Sequence, residues 1–366
     1  MLNITELEEK ELKEIKTYLH QHPETSMAEY GTTKFIKKKL IAMGIELIDL
    51  SLDTGVVGIL KTGKKGPVVG LRADIDAIKC VETADVEAKS LIEGVMHACG
   101  HDFHTTSLLG AEETTSGAAA LIEHGLFNKV KMDYLFGLHN RPEIVTGKVA
   151  VKKGSLMAAK DNFAIHITGK GGHGGMPHQT IDPIVCGAGI INAVQTIVSR
   201  SIDPLDSVVV SICSIHGGTP ENLIVDKLHM TGSIRALSKK GHELAKKRLE
   251  EIVMNTASAY GCKAEVSYEC GGVPPLNNSY HMYQLAYEAA VNAMGEEAVV
   301  STEPCLGSED FAVYSEYVPT FFYWLGVGKE GGSAPWHYGN FATDDNALKY
   351  GAMLLAQSVL TVQSKN

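Results

Sequence analysis

The stretch Met96–Thr105 reads MHACGHDFHT and brings three histidines, one cysteine and one aspartate into ten residues. Thiolate and imidazole groups are common zinc ligands, and a carboxylate can orient such a ligand. Cys99 and His101 are two residues apart, so on a helix they would face different directions. They can converge on one ion only from a turn or loop, and Gly100 permits the close backbone bend that this requires.

Two other interpretations of this cluster are open. Taken singly, Cys99 is better read as a small buried hydrophobic residue and each histidine as a loop residue with a hydrogen-bond partner. A cysteine–histidine nucleophile pair is a weaker alternative, because such pairs usually meet only through the fold. The whole cluster within ten residues favours a metal site.

Length and composition set the broad class. A chain of 366 residues predicts two domains, and its net charge of −10 argues against nucleic acid as a partner. The amino terminus predicts a charged amphipathic helix over 7–19 without the apolar core of a signal peptide, and a second helix is predicted over 32–43. No apolar run is expected to span a membrane. Seven scattered cysteines favour a reduced, cytoplasmic protein.

Two predicted strands carry polar residues where they end. PVVGLRADID, at 67–76, is a buried-strand pattern ending in Asp74 and Asp76, and MDYLFGL, at 132–138, predicts a strand with His139 at its carboxyl end. Open α/β sheets bind their ligands at the carboxyl ends of strands. Asp74 is equally well read as the start of a solvated loop. With a metal cluster upstream, His139 is better read as a ligand.

Glu112 and Glu113 stand just before the possible N-cap residues 114–116 of an alanine-rich helix. Adjacent carboxylates at a helix start commonly do no more than interact favourably with the helix dipole. Near a metal cluster, one can bind the ion while its neighbour accepts a proton from water.

From about Phe163 the pattern reads strand, helix, two strands, helix, strand, which is the order of a ferredoxin-like βαββαβ unit. We therefore predict an α/β fold in which residues 1–161 and 274–366 form a catalytic domain. Residues 162–273 form an inserted lid or dimerisation domain.

The chain resembles the metal-dependent amidohydrolases and metallopeptidases of the aminoacylase, hippurate hydrolase, N-acetyldiaminopimelate deacetylase and auxin-conjugate hydrolase group. The resemblance runs almost from end to end. It rests on the motifs HQHPE, GLRADIDA, GVMHACGHDFHT, AEE, GLHNRPE, GKGGHGGMPH, DPLDSVVVS, IHGGT, GSIRAL and LGSEDFA, and on a histidine before a carboxyl-terminal NF pair. HACGHD together with GGHG and AEE is a specific signature.

This resemblance implies a zinc-peptidase-like catalytic α/β/α domain that hydrolyses the amide bond of N-acyl amino acids. It implies a centre of two divalent ions, zinc or manganese first and cobalt or nickel as alternatives. The implied ligands are Cys99, His101, Glu113, His139 and His337. Asp76 would orient a ligand, and Glu112 would be the general base for the attacking water.

The resemblance also implies roles for three residues of the inserted domain. His173 would stabilise the oxyanion, in such families sometimes from the partner subunit, and Asn222 and Arg235 would contact the substrate. Arg235 suits a substrate carboxylate, although a surface strand residue is an equal reading. A homodimer is expected by analogy, with no membrane or nucleic-acid partner.

One segment departs from the family pattern. In the family, the helix after HACGHD is followed by a strand reading like FQPAEE, whereas here LLGA runs directly into EETTSGA. We therefore expect the catalytic sheet to be short of one strand. Two hypotheses follow: an active amidohydrolase, or a catalytically weak or silent metal-binding relative whose Glu112 is misplaced.

Overall fold

A computed structural model describes residues 4–108, 117–218, 221–269 and 272–365. The chain divides into two compact units. The first unit contains 1–154, 277–303 and 313–366, and the second contains 155–276 and 304–312. The bounds at 154/155 and 276/277 lie a few residues from the predicted ones, whereas 304–312, predicted to belong to the catalytic domain, groups with the second unit. The assignment of catalytic and lid roles stays a prediction.

The amino-terminal part of the first unit alternates helices with short strands. In chain order these are α1 (Glu6–Gln21), α2 (Tyr30–Ala42), β1 (Glu46–Ile48), β2 (Val57–Ile59), β3 (Val69–Arg72), β4 (Ile78–Lys79), β5 (Val95–Met96), α3 (His101–Ser107), α4 (Gly117–Glu123), α5 (Leu126–Lys129), β6 (Tyr134–Val145) and β7 (Val149–Ala150). The helix predicted over 7–19 is confirmed as α1. It starts with a capping box, in which Thr5 and Glu8 each accept a hydrogen bond from the other's backbone N–H.

The middle of the chain builds the second unit. Its elements, in chain order, are β8 (Gly154–Met157), β9 (Ala159–Thr168), β10 (Gly172–His173), α6 (Pro183–Thr196), β11 (Val208–His216), β12 (Leu223–Ile224), β13 (Lys227–Ala236), α7 (Lys239–Ala259), β14 (Lys263–Tyr268) and β15 (Leu276–Asn278), the last of which crosses into the first unit. An antiparallel sheet in the order β11-β13-β9-β14 packs its buried face around Ile165, Met230 and Ile234. The predicted ferredoxin-like βαββαβ order is confirmed in β9, α6, β11, β13, α7 and β14.

Residues Pro183–Ser201, which include α6, form a helix long and apolar enough to cross a membrane by length and composition. This corrects the expectation that no run reaches that length. Core helices of globular domains pass the same test, and Cys186, Ile190 and Val194 of this helix are buried in the core of the second unit. The helix is therefore accounted for by the βαββαβ packing.

The carboxyl-terminal part completes the first unit with α8 (Tyr280–Met294), β16 (Val299–Val300), β17 (Thr320–Gly328) and α9 (Leu348–Ser364). The central sheet of the described residues has the order β16-β7-β17-β6-β3 and is mixed, because β7 runs antiparallel to β17. All of β17 is buried, since both faces of a central strand in an α/β sheet are covered. The α/β fold is confirmed. The missing strand stays a prediction, because residues 109–116 lie outside the described residues.

The strand that carries His139 is longer than predicted. It was expected to end at Leu138, but β6 continues to Val145 because β17 pairs with it beyond that point, with Trp324 opposite His139 and Leu325 opposite Asn140. His139 is therefore held within a paired strand, which fixes its backbone more firmly than a loop would.

A buried ion pair joins α1 to α3. His20 Nδ1 lies 2.7 Å from Asp102 Oδ2, and its Nε2 lies 3.1 Å from Glu82 Oε1. Burial opposes the charged imidazole, but the Asp102 carboxylate and its hydrogen bond outweigh it and raise the pKa of His20. Asp102 in turn has a pKa well below its ordinary value, since His20 outweighs the burial of that carboxyl.

We expect His20→Gln to lower the free energy of unfolding by roughly 1–3 kcal/mol near pH 6, because a charge-assisted hydrogen bond is lost. A raised pKa stabilises the fold fully below the unfolded imidazole value of about 6.5 and loses this effect as pH rises through the folded value. The deficit of the variant in unfolding free energy should therefore shrink as the pH rises above 6.5 and through the raised pKa of His20. Urea unfolding of the variant and the wild type, with a chelator present, measures this difference in unfolding free energy at each pH. Exposed His22→Gln is the control, and a deficit that grows with pH would contradict the assignment.

Candidate metal centre

The pairing of β3 with β6 brings the carboxyl end of β3 next to His139. The two strands are parallel, and their last pair is Arg72 with Gly137. Two residues further along, β6 carries His139, while the chain leaving β3 carries Asp74 and Asp76. The predicted meeting of strand-end residues is therefore present in the first unit.

A tight turn at Gly100 brings Cys99 and His101 to the same place. Gly100 has φ +85°, in the left-handed region, and α3 begins at the next residue. A Cβ atom at Gly100 would lie 2.5 Å from Asn140 Nδ2. Glycine is thus required twice here, for the backbone conformation and for the close approach of β6.

Three predicted ligands meet in the interior. One donor atom each of Cys99, His101 and His139 lies within 4.8 Å of the other two, and all three residues are buried. Cys99 Sγ lies 3.4 Å from His139 Nε2. Two ligands of one tetrahedral zinc ion, with bonds of about 2.3 Å to sulfur and 2.0–2.1 Å to nitrogen, stand roughly 3.5 Å apart. The donor types and their spacing fit a metal ion.

Each imidazole of this group is oriented by a partner. His101 Nδ1 lies 2.9 Å from Asp76 Oδ1, and His139 Nδ1 lies 2.7 Å from the carbonyl oxygen of Asn140. With Nδ1–H donated in both rings, Nε2 is the nitrogen that carries the lone pair. A carboxylate or carbonyl behind a ligating histidine is the usual arrangement at metal sites. The contact of Asp76 agrees with the role that the resemblance implied.

A second buried group contains Asp74, His101 and His104, whose donor atoms also lie within 4.8 Å of one another. Both ring nitrogens of His104 are engaged, because Nδ1 contacts Asp74 and Nε2 accepts from the backbone N–H of Asn140 at 2.8 Å. His104 is therefore better suited to hold Asp74 and β6 in place than to bind an ion. The sequence alone predicts no role for His104 and supports both readings of Asp74 equally.

Burial controls the electrostatics of these groups. Desolvation, with repulsion from His104, holds the pKa of His139 well below 6.5, which keeps its imidazole in the neutral form that binds metals. Burial opposes ionisation of Asp74, but His101, His104 and Arg72 outweigh it and hold the pKa of that carboxyl well below 3.8. The Asp74 carboxylate therefore stays negatively charged beside His101 and His104.

His337 reaches this region through its backbone. Its N–H donates to the carbonyl oxygen of Ala98 at 2.8 Å, and Trp336 Nε1 donates to Asn140 Oδ1 at 2.9 Å. His337 has φ +66°, an uncommon conformation for a residue with a side chain. Its side chain is exposed and its ring is not part of the group formed by Cys99, His101 and His139. Glu112 and Glu113 lie outside the described residues.

Two of the predicted residues of the second unit lie close together. His173 pairs with Leu223 between β10 and β12, and the carbonyl oxygen of Asn222 accepts from the N–H of Gly174 at 2.8 Å. Both side chains are exposed. Arg235 is elsewhere, near the far end of β13, where its half-buried guanidinium donates to Ser308 Oγ at 3.2 Å. Burial lowers the pKa of Arg235.

The roles of Asn140 and Trp336 are not predicted by the sequence. Asn140 joins three parts of the site: its Nδ2 donates to the carbonyl oxygen of Cys99 at 2.5 Å, its Oδ1 accepts from Trp336, and its N–H reaches His104. The available signal was an asparagine directly after a predicted ligand on a strand. Its contacts are all long-range, so no local pattern could indicate them.

We expect Gly100→Ala to reduce metal affinity by at least about tenfold, because its Cβ would push Asn140 and β6 away from the Cys99 turn. Gly94→Ala is the matched control. Gly94 also has a positive φ, of +73°, but a Cβ there meets no atom within 4 Å. Both variants should be destabilised by about 1–2 kcal/mol of backbone strain, and only Gly100→Ala should lose metal. Competition with a chromophoric chelator and urea unfolding measure both. Equal metal loss in the two variants would rule out the steric explanation.

Comparison with known proteins places these features in one family. The model of peptidase family M20/M25/M40 matches residues 70–111 and 109–361. The match is split into two segments that overlap at 109–111, just before Glu112.

Three similar proteins illustrate the relationship. An N-acetylcysteine deacetylase of Bacillus subtilis is 37% identical over an alignment of 367 positions that covers 94% of each chain. An IAA-amino acid hydrolase of Arabidopsis thaliana is 36% identical, over 93% of this chain and 83% of the relative. The crystal structure of a dinuclear metal-binding M20 peptidase of Bacillus subtilis superposes with a TM-score of 0.85 at 33% identity, over 98% of this chain and 99% of that one.

The resemblance inferred from the motifs is thereby confirmed. Sequence identity extends over nearly the whole chain, which also contains a buried group of one cysteine and two histidines that could hold a metal ion. The chain belongs to peptidase family M20/M25/M40 and is a metal-dependent amidohydrolase.

Proposed function

We propose that this amidohydrolase cleaves the amide bond of N-acyl amino acids and releases a carboxylate and a free amino acid. The observation that carries the proposal is the buried group of Cys99, His101 and His139, in which Asp76 and Asn140 orient the two imidazoles. A relative that removes an acetyl group from N-acetylcysteine, 37% identical over 94% of the chain, supports the substrate class.

We infer a centre for two divalent ions held by Cys99, His101, Glu113, His139 and His337. Three of these five ligands already meet in the first unit, and the backbone of His337 is tied to Ala98, the residue before Cys99. A thiolate favours zinc, and manganese, cobalt and nickel are the alternatives. When bound, the ions would polarise the amide carbonyl and lower the pKa of water.

Glu112 is the proposed general base. Its carboxylate takes a proton from the water that attacks the amide carbonyl and delivers that proton to the nitrogen as the C–N bond breaks. Asp74 is a poor alternative base, because it is fully buried and already bonded to His104 and Arg72. His173 would stabilise the oxyanion of the tetrahedral intermediate.

The positions of the proposed substrate-contacting residues support a homodimer with shared sites. His173 and Asn222 lie on segments that leave the sheet at the Lys227 end of β13, whereas Arg235 is eight residues further along that strand. Eight residues of strand rise roughly 27 Å. An N-acetyl amino acid, as long as about two extended residues, spans roughly 7 Å. One copy of the second unit therefore cannot present both groups to one small substrate, but two copies can.

A silent metal-binding relative is the second candidate function. The observation in its favour is the break in the family match at 109–111, directly before Glu112. Under this alternative the three-donor group still binds metal, but a misaimed Glu112 gives no turnover.

We expect Glu112→Gln to lower kcat/KM by roughly 10²–10⁴ while zinc content stays unchanged, because proton transfer is lost and the metal ligands remain. Glu123→Gln, an exposed acid at the end of α4, is the matched control and should be fully active. Amine release from N-acetyl and N-benzoyl amino acids with added zinc, manganese or cobalt is the assay. An active Glu112→Gln would exclude the base, and an inactive wild type with every metal would favour the silent relative.

Shared sites predict complementation between two inactive variants, His173→Ala and Glu112→Gln. In a mixed dimer, one site combines the intact Glu112 of one subunit with the intact His173 of the other. Because one of its two sites is then complete, the purified mixed dimer should show about half of wild-type activity. Co-expression with two affinity tags, followed by the same amine assay on purified mixed dimers, tests it. Mixed dimers as inactive as their parents would show that His173 acts within its own subunit.

A further inference from the structure

Three histidines lie side by side across the sheet of the second unit. His216 of β11 pairs directly with His229 of β13, which pairs directly with His166 of β9. On the other side of His166, Glu265 of β14 completes the row. Directly opposed residues of antiparallel strands share one face, with Cβ atoms about 4.5–5.5 Å apart.

This row occupies the solvent-facing side of the sheet. His166, His216 and Glu265 are exposed and His229 is half-buried, whereas their chain neighbours Ile165, Leu228 and Met230 are buried in the core. The row is thus on the face opposite the hydrophobic core of the βαββαβ unit. It shares no residue with the group of Cys99, His101 and His139.

The ring of His229 lies between the rings of His166 and His216, and none of the three rings has another polar partner among the described residues. The rings of His166 and His229 are stacked with centroids 4.6 Å apart and planes 4° from parallel, and His216 is 6.4 Å from His229. Nε2 of His229 is buried without a hydrogen-bond partner. The ring nitrogens of His166 and His216 likewise form no hydrogen bond with a described residue. A buried nitrogen left without a partner costs free energy unless a ligand satisfies it.

We propose that His166, His216 and His229 form a second metal site, which takes a divalent transition-metal ion with a preference for imidazole ligands, such as zinc, nickel or copper. Imidazole nitrogen suits these three ions, and metal–nitrogen bonds of about 2.0–2.1 Å place two ligating nitrogens roughly 3.3 Å apart. The centroids of the stacked His166 and His229 rings are 4.6 Å apart, so rotation of the two side chains can turn one nitrogen of each ring towards a shared ion.

Strand spacing selects these three residues. The row of four side chains spans roughly 14 Å, so one ion cannot bind both ends. His229 is the central ligand, since it contacts a histidine on each side. Glu265 lies beyond His166, at the opposite end of the row from His216, and is not one of the three ligands. The next row along the strands consists of Lys227, Thr168 and Lys263. It contains no histidine, cysteine or carboxylate, so the metal-binding side chains are confined to the row of His216, His229 and His166.

The test compares nickel binding by the wild-type protein and His229→Gln. In equilibrium dialysis of the full-length protein against micromolar Ni²⁺, the wild type should bind one more ion per subunit than His229→Gln does. Loss of the central ligand should weaken this binding by at least about tenfold. Copper loaded in the same way should give an electron paramagnetic resonance signal with nitrogen hyperfine splitting, and His229→Gln should lose that component.

Two further variants separate the site from surface binding and from misfolding. His281→Gln, an exposed histidine of the first unit, should keep the additional ion, and Glu265→Gln should bind it unchanged. His229→Gln should keep the wild-type unfolding midpoint and the wild-type rate of amine release. Equal nickel stoichiometry in the wild type and His229→Gln, or loss of the ion in His281→Gln as well, would overturn the proposal.

Discussion

The close contact between Gly100 and Asn140 is the constraint on which the site depends. It presses the Cys99 turn against β6, so that a sulfur from a loop and a nitrogen from a strand come within 3.4 Å. The side-chain oxygen of Asn140 also accepts a hydrogen bond from Trp336 in the carboxyl-terminal loop, and its backbone N–H donates to His104. Because three distant segments share one side chain, a shift of any one of them disturbs the others. A metal centre needs this rigidity, since ligand geometry must be held within fractions of an ångström.

Buried charge surrounds this contact and is balanced locally. Asp74 and Asp102 lie in the interior, and each keeps a lowered pKa because histidines and, at Asp74, an arginine face it. Removing one partner of such a pair leaves the other uncompensated, which costs more than the pair contributes. The surroundings of the histidines differ: His20 pairs with acids, and His104 bridges Asp74 to β6. His101 and His139 instead meet Cys99 in the buried group that could hold a metal ion.

The second unit combines a common fold with sites set by strand register. The register of the strand pairs sets which residues oppose one another, and it aligns His216, His229 and His166 in one row. The same geometry places His173 and Asn222 at one end of the sheet and Arg235 near the other. A single fold can therefore present separate chemical groups at its ends and on its open face.

Local patterns in the sequence were enough to predict the long helices, the βαββαβ order, the family and three residues that meet in the candidate metal site. These signals are local: hydrophobic periodicity, the glycine between Cys99 and His101, and motifs with fixed spacing. They misjudged the end of β6, because that strand is extended by pairing with β17, which lies almost two hundred residues away. Only the tertiary structure decided the roles of Asn140, Trp336 and His104 and the alignment of three histidines across strands. Such contacts join residues far apart in the chain, and the strand register and side-chain packing that create them are set only when the whole chain folds.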